Sequence, residues 1–492
     1  MSKNKISICA ILLATSMFAE QNLDLASAFT NAKVDGQLRA LYIQQTFNLA
    51  NNQPKINPNS DNSAFAVGGN LGLQTAPYYG LSAGAKFYTS QVLASSAYFG
   101  GNPSNPTVAS ANLSKDFYNM GTTPGQSYST LGQAFAQGIY GKNSLKIGRQ
   151  EFNSPLLDAH DSYMIPNLFQ GGVFNNRDIA DTTIILSYLN GMQGGTTGNS
   201  RSNINPQTSF NSLSLSALGN YINESKPNMG GGVIGNQPLY IAAIKNSSLP
   251  YTDLQLWYYN NIDVLQAWFA EAKLAVPVAK EWTMNLHAHY YNVGAQGATK
   301  TFFANANLAY NSTAPSGSNL KPVAMNNLSY GATSARLIVE NPFGLTPEVA
   351  ASFIGGANNT AYLPNLWGGY PNYAHSEYIY MSNLVSYASL SSGANAKNSN
   401  QWRFALTQDL NKFSLGNRSF GIAYSMYNFM KSQNNGLNFN TATWDIIYTC
   451  NSALLKNLDW KMYFENVSYN NAILWSNVKS TNIFKLKAVY SF

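Results

Sequence analysis

The sequence has few cysteines, few charges and no long apolar run in its main part, and each shortage excludes a class of protein. Two of the 492 residues are cysteine, so a disulfide-stapled secreted domain is excluded. After the first 19 residues no segment approaches 18 consecutive apolar residues, so no candidate transmembrane helix follows. Charged residues make up 10% of the chain, whereas about 25% is usual in soluble domains.

Basic tracts and catalytic constellations are also scarce. The formal net charge is +7 and no lysine or arginine tract occurs, so nucleic acid is not expected as a partner. We find no Gly-x-Ser-x-Gly elbow and no convincing nucleophile and base among residues that include only four histidines, so we expect neither an enzyme nor a cofactor. His287 and His289 share one face of a predicted strand, but two imidazoles fall short of a metal site.

The first residues have the features of a secretory signal peptide. Two lysines precede an apolar run from Ile6 to Phe18, and the small residue Ala19 follows. The run is shorter than the ~20 residues that a spanning helix needs. We expect residues 1–19 to be removed and residues 20–492 to form a single domain, with cleavage after Ala28 as the alternative.

What the chain has in abundance is aromatic residues and alternation with period two. It contains 31 Tyr, 25 Phe and 8 Trp, and its mean hydropathy is −0.19. In the final stretch, one face of an extended chain carries Phe484, Leu486, Ala488, Tyr490 and Phe492, and the other carries Lys485, Lys487 and Ser491. Repeated segments of about ten such residues are typical of a transmembrane β-barrel.

The alternation predicts eighteen antiparallel strands. Their ranges are 34–47, 64–74, 81–90, 131–140, 144–151, 181–190, 208–218, 239–246, 252–260, 264–276, 281–292, 328–339, 345–354, 401–410, 418–428, 439–450, 458–468 and 482–492. Short and long connections alternate between them, as periplasmic turns and extracellular loops do in bacterial barrels. Two segments fit less well, since 191–207 is long for a periplasmic turn and 376–387, which reads as extended, has to lie in an outer loop.

The ends of the sheet and its polar face suggest a water-filled lumen. Pairing of the last strand with the first would remove both edges, which lipid cannot hydrogen-bond, and about eighteen strands leave room for an aqueous lumen. By strand parity, eight basic residues face this lumen: Arg39, Lys86, Lys146, Arg336, Arg403, Lys461, Lys485 and Lys487. They predict a weak preference for anions, with a carboxylate-bearing solute as guest. The alternative is that pore water and cross-strand carboxylates merely solvate them.

The run SLKIGRQEFNSPLLDAHDSYMIPNLFQGGVFNNRDIADTTIILSYLNG, residues 144–191, resembles the OprD-like family of outer-membrane porins. In that family a strand leads into a loop with a PQTFQG-like run, and a returning strand follows. The stretches GQLRALYIQ, FAVGGNLGLQTAPYYGLSAGAKFYTSQ and LWGGYPN are similar to the branch found in Helicobacter and its relatives.

The resemblance implies an 18-stranded barrel, selective uptake of small solutes and an inward-folded constriction loop at about residues 152–180. Carried over to this sequence, the loop contains Asp158, His160, Asp161 and Tyr163. Tyr163 is a departure, because relatives commonly have arginine just before the apolar-Pro element. The DAHD cluster at 158–161 is either a polar narrowing of the pore or an exposed acidic turn.

The resemblance also implies the location and partners of the chain. We expect it in the outer membrane of a Gram-negative bacterium, in contact with lipid and small solutes. Phe492 is similar to the C-terminal aromatic residue that the barrel assembly machinery reads in such proteins. Monomer and trimer both remain open. A surface adhesin with a plugged barrel is the alternative function, because the predicted loops are long and rich in Asn, Ser, Gly and Tyr.

Overall fold

The fold is described from a computed structural model. The structure describes residues 24–49, 62–95, 127–159, 161, 164–193, 238–297, 299–300, 327–356, 360, 366–367, 369, 371–375, 399–429, 439–451, 455–469 and 478–492. None of the helices in these ranges is long and apolar enough to cross a bilayer.

Strands make up most of the described residues, because alternating apolar and polar side chains suit a sheet with two different environments on its faces. A short helix α1 (Leu25–Thr30) precedes them, with Asp24 as its N-cap. The strands are β1 (Lys33–Leu49), β2 (Asn62–Gln74), β3 (Leu81–Ser95), β4 (Tyr128–Tyr140), β5 (Asn143–Gln150), β6 (Leu168–Asn176), β7 (Thr182–Gln193), β8 (Leu239–Asn246), β9 (Thr252–Asn261), β10 (Leu265–Ala279), β11 (Trp282–Ala295), β12 (Ser329–Glu340), β13 (Leu345–Gly356), β14 (Ser399–Asp409), β15 (Arg418–Phe429), β16 (Phe439–Asn451), β17 (Leu458–Tyr469) and β18 (Val478–Ser491). A 3₁₀ turn, Leu410–Phe413, follows β14.

These eighteen strands form one closed antiparallel barrel. Each strand pairs with its neighbours in sequence, and β1 also pairs with β18, so the sheet formed by the described strands has no free edge. In the closing pair Gln37 lies opposite Ser491 and Asn48 lies opposite Ser480. Closure satisfies the backbone groups that lipid could not, and the predicted fold class is confirmed.

The connections have the predicted asymmetry. At one end of the barrel they are short, for example 141–142 between β4 and β5 and 280–281 between β10 and β11. At the other end most are long, for example 96–127 and 296–328, although β9 and β10 are joined by 262–264 alone. Short turns mark the periplasmic end of a bacterial barrel, so β1 runs outward.

The predicted number of strands agrees with the structure, but one of them lies elsewhere. The strand β6 (Leu168–Asn176) returns directly after β5 and pairs with it, whereas the sequence reading included these residues in the connection 152–180. The predicted strand 208–218 lies outside the described residues, and β7 pairs directly with β8. Residues 191–193 belong to β7, so the long segment that follows leaves from the extracellular end and is not a periplasmic turn. The segment 376–387 also lies outside the described residues.

The alternation in β6 is hidden by glycine and by a bulge. Leu168 and Phe169 are both buried, and the register with β7 shifts between Gln170 and Gly171. A Cβ on Gly171 would lie 2.0 Å from the carbonyl oxygen of Tyr188, so only glycine permits this approach of the two strands. Without a regular period the strand has no signature that a sequence pattern can detect.

Candidate functional site: a constricted lumen

The two faces of the wall differ sharply in exposure. On β1, Leu38 is 60% exposed whereas its neighbour Arg39 is 5% exposed and Leu41 is fully buried. Large exposed apolar side chains recur at every second position of the other strands, as a lipid-facing surface requires. The opposite face, which the inward loops contact, is the lumen. All eight basic residues named from parity lie on this face: Arg39, Lys86, Lys146, Arg336, Arg403, Lys461, Lys485 and Lys487.

The segment between β5 and β6, described at residues 151–159, 161 and 164–167, crosses the lumen and is called the constriction loop below. On one side the backbone N–H of Leu156 donates to the hydroxyl of Tyr259 on β9 at 3.4 Å. On the other side Lys487 Nζ on β18 donates to the carbonyl oxygen of Asp161 at 2.8 Å. Because β9 and β18 lie on well-separated parts of the ring, these two contacts place the loop across the pore.

Asp161 is held by basic residues of the closing strands. Arg39 Nη2 on β1 donates to Asp161 Oδ2 at 2.7 Å, and Nη1 of the same guanidinium donates to Oδ1. Lys487 Nζ lies 3.9 Å from Oδ1. The Asp161 side chain keeps 44% of its surface exposed, whereas that of Arg39 keeps 4%. A half-exposed loop carboxylate is therefore docked on a buried wall cation.

A second segment, described in parts between β13 and β14, also lies against the constriction loop. The N–H of Asp158 donates to the carbonyl oxygen of Trp367 at 3.2 Å, and the Trp367 ring stacks on Tyr259 with centroids 6.1 Å apart. A Cβ on Gly369 would lie 2.4 Å from the carbonyl carbon of Leu156, so the two segments meet backbone to backbone. We call residues 366–375 the second inward segment; sequence reasoning placed its region only in an outer loop.

Tyr373 anchors this second segment to the wall. Its hydroxyl donates to Glu271 on β10 and its N–H donates to Ser334 Oγ on β12 at 3.0 Å. Burial raises the pKa of Tyr373, and the bond to Glu271 raises it further, so the phenol stays protonated and remains a donor. The Arg336 guanidinium lies 4.6 Å from the centre of the Tyr373 ring. The stretch LWGGYPN, residues 366–372, directly precedes Tyr373 and resembles relatives, but the sequence pattern does not indicate this contact.

Some of the basic residues contact neutral groups. Arg336 Nη2 lies 2.9 Å from His287 Nδ1; a guanidinium can only donate, so Nδ1 accepts and the imidazole proton is on Nε2. Lys146 Nζ lies 3.7 Å from the centre of the Phe135 ring. Lys245, which the parity argument did not include, lies 5.0 Å from the centre of the Trp257 ring. These three contacts are with neutral groups, which do not cancel the positive charge at contact distance.

Other members of the set pair with carboxylates. Lys86 bonds to Asp35, and Arg403 Nη1 donates to the fully buried Asp445 at 2.9 Å. Lys485 is 9% exposed beside Tyr463, its register partner on β17, and Lys461 lies opposite Lys487. The lumen face thus carries cations that pair with carboxylates and cations that contact neutral groups.

The other residues singled out in the sequence are two loop residues, a histidine pair and the C-terminal phenylalanine. His160 and Tyr163 lie outside the described residues. Among the described residues no group of three or more His, Cys, Asp or Glu could hold a metal ion, and His289 packs against Tyr373 with ring centroids 4.6 Å apart. Phe492 is 54% exposed at the closing seam, and its N–H and carbonyl oxygen both bond to Gly36 at 3.0 Å.

Comparison with known proteins gives one family. A family model described as "outer membrane porin, OprD family" matches residues 29–316, which is more than half of the chain. Comparison with curated proteins gives no match.

Solved structures with the same fold come from Pseudomonas aeruginosa. OccK3 (OpdO) is 14% identical with a TM-score of 0.62, covering 96% of this chain and 99% of its own. OpdL is 11% identical with a TM-score of 0.64, covering 94% and 99%. OpdK, in a structure with vanillate, is 13% identical with a TM-score of 0.62, covering 94% and 99%. At this identity the likeness shows the fold alone.

Proposed function

The chain belongs to the OprD family of outer membrane porins, and we propose that its constricted lumen prefers small solutes that carry a carboxylate. Porins of this family lie in the outer membrane of Gram-negative bacteria and let small hydrophilic solutes diffuse passively through a water-filled barrel. We propose that the basic residues of the lumen face line the route of the solute through the barrel, and that the constriction loop and the second inward segment narrow this route.

One observation supports the anion preference above all. Arg336, Lys146 and Lys245 lie on the lumen face against an imidazole and aromatic rings. Neutral partners orient a cation without cancelling its charge. Each cation therefore attracts a passing anion, and several weak sites in sequence allow transfer without deep trapping.

The surroundings of Arg336 suit a solute with an apolar body and one carboxylate. Tyr373 presents a ring face beside the guanidinium, and the rings of His287 and Tyr373 lie 5.9 Å apart. The structure of OpdK with vanillate supports the proposal by analogy, because vanillate combines an aromatic ring with a carboxylate.

Reversal potential across a planar bilayer tests the proposal. Purified protein under a KCl gradient is expected to give discrete openings and a reversal potential of the anion-selective sign. A reversal potential of the cation-selective sign would overturn the anion preference. Absence of any openings from a barrel that is demonstrably folded would argue for a plugged lumen.

We place the signal cleavage after Ala19, since cleavage after Ala28 would divide α1 and remove the carbonyl that accepts the N–H of Ala76. We assign Phe492 as the residue that the barrel assembly machinery reads. We also place the chain in the Helicobacter-type branch, on the stretches quoted above.

A further inference from the structure

The Asp161 carboxylate of the constriction loop binds to the closing strands in the way that a free carboxylate anion would bind. Both oxygens of the Asp161 carboxylate accept from one guanidinium, the bidentate geometry in which arginine recognises carboxylates. Arg39 is fixed from behind, because Gln37 Oε1 accepts from Arg39 Nε at 3.0 Å. The guanidinium is thus held from the wall by Gln37 and from the loop by Asp161 and the Met164 carbonyl oxygen, which accepts from Nη1 at 3.3 Å.

Lys487 adds a second cation to the same place. Its ammonium donates to the Asp161 carbonyl oxygen at 2.8 Å and lies 3.9 Å from the nearest carboxylate oxygen. The ammonium is therefore bound firmly to the loop backbone and only loosely to the carboxylate. Two cations share one acidic side chain.

The carboxylate itself remains accessible. Asp161 keeps 44% of its side-chain surface exposed, while the side chains of Arg39 and Lys487 keep 4% and 14%. Water and small solutes can thus reach the acidic partner, whereas the cations are screened behind it. Because the exposed carboxylate regains water when it leaves the two cations, the contact can open and re-form.

We propose that Asp161 is a positioning and specificity-determining residue, whose carboxylate holds the constriction loop on Arg39 and Lys487 and competes with the carboxylate of a passing solute for both cations. This inference rests on the proposed function, since it concerns carboxylates that enter a partly basic lumen. A tethered group competes at an effective concentration on the order of millimolar. Asp161 therefore keeps solute retention weak and transit fast.

A matched pair of substitutions tests the competition. Asp161→Asn and Asp35→Asn each remove one lumen-side carboxylate that bonds to a predicted basic residue, and the two carboxylates are exposed to 44% and 43%. Asp161 belongs to the loop, whereas Asp35 belongs to β1. The readout is the concentration of potassium acetate that half-saturates single-channel conductance, with potassium chloride as the reference salt.

We expect Asp161→Asn to lower the half-saturating acetate concentration about three- to fivefold, with a smaller change in chloride. Asp35→Asn is expected to change it less than about twofold, because Asp35 bonds to the single cation Lys86, whereas Asp161 holds the loop on both Arg39 and Lys487. Asp161→Glu, which keeps the charge, should restore wild-type behaviour. Equal effects of the two Asn variants would overturn the proposal, because they would reflect net charge alone.

The wild-type protein offers a second measurement that requires no variant. If acetate displaces Asp161, replacing chloride by acetate at constant ionic strength should increase the frequency of conductance substates as the loop detaches. An unchanged frequency would contradict the inference. The wild-type reversal potential in KCl is independent of both tests, so failure of the anion preference and failure of the competition are distinguishable.

Discussion

At the scale of single residues, the partner of each lumen cation decides how much of that cation's positive charge acts on the electrostatic potential of the lumen. Arg403 lies beside the fully buried Asp445, so its charge is largely balanced at short range. Arg336 faces the Tyr373 ring and His287, so its charge is balanced less. Parity placed both residues on the lumen face, but their partners come from other strands and from a loop, which a local pattern does not contain.

Arg336→Gln is expected to reduce the permeability ratio of chloride to potassium about twofold, because a single charge a few ångströms from the path is partly screened by pore water and salt. Reversal potentials under a KCl gradient measure this ratio. Arg418→Gln is the control, since Arg418 is exposed at the first position of β15 with the parity of the outer face. An equal effect of both variants on the permeability ratio would show that Arg336 does not contribute to ion selectivity.

At the scale of elements, the period of the sequence determines which side of a strand meets lipid. Strand β11 shows the rule clearly: Leu286 is 49% exposed on the outer face, and Asn285 next to it is half-buried on the lumen face. A shift of one residue in register would exchange the two environments. The irregular strand β6 lacks such a period and was therefore the one that sequence reasoning missed.

Leu286→Arg is expected to destabilise the folded barrel by about 2–4 kcal/mol, because the charge would be placed in the apolar band. Asn285→Arg introduces the same side chain at almost the same depth, but toward water, and should leave stability nearly unchanged. Urea unfolding in lipid vesicles, followed by the heat-dependent shift in gel migration, compares the two. Equal destabilisation would show that the assigned faces are reversed.

At the scale of the whole molecule, the barrel depends on one long-range pairing between its first and last strands. The Phe492 ring covers Gly36, where an added Cβ would lie 2.5 Å from the ring. The absence of a side chain at Gly36 thus leaves room for the Phe492 ring. The two backbone hydrogen bonds between these residues extend the pairing of the first and last strands to the last position of the chain.

The substitution Phe492→Ala tests whether Phe492 acts in closure of the barrel or in recognition by the barrel assembly machinery. If the residue acts mainly as an assembly signal, the amount of folded barrel in the outer membrane should fall severalfold while refolding of the purified chain in detergent stays close to wild type. Gly36→Leu, which displaces the ring but keeps Phe492, should impair refolding in detergent as well. Equal losses of Phe492→Ala in cells and in detergent would assign the residue to closure alone.

The sequence by itself determined the all-β class, the outward direction of β1 and the parity of the eight basic residues. The predicted number of strands agreed only because β6, which was missed, was balanced by the predicted strand 208–218, which lies outside the described residues. These properties follow from a period of two and from connection lengths, which are local and repeat along the chain. The resemblance to a family added the position of the constriction loop, although its end at β6 was hidden by Gly171 and the adjacent bulge.

Only the tertiary structure decided how the lumen is narrowed. Asp161 meets Arg39 and Lys487 across sequence separations of 122 and 326 residues, and Tyr373 reaches Glu271 on the far side of a long connection. Such contacts depend on barrel closure and on how two loops fold into the same space. Neither is encoded in a periodic pattern, so the charges on the lumen face acquire their partners only when the ring is complete.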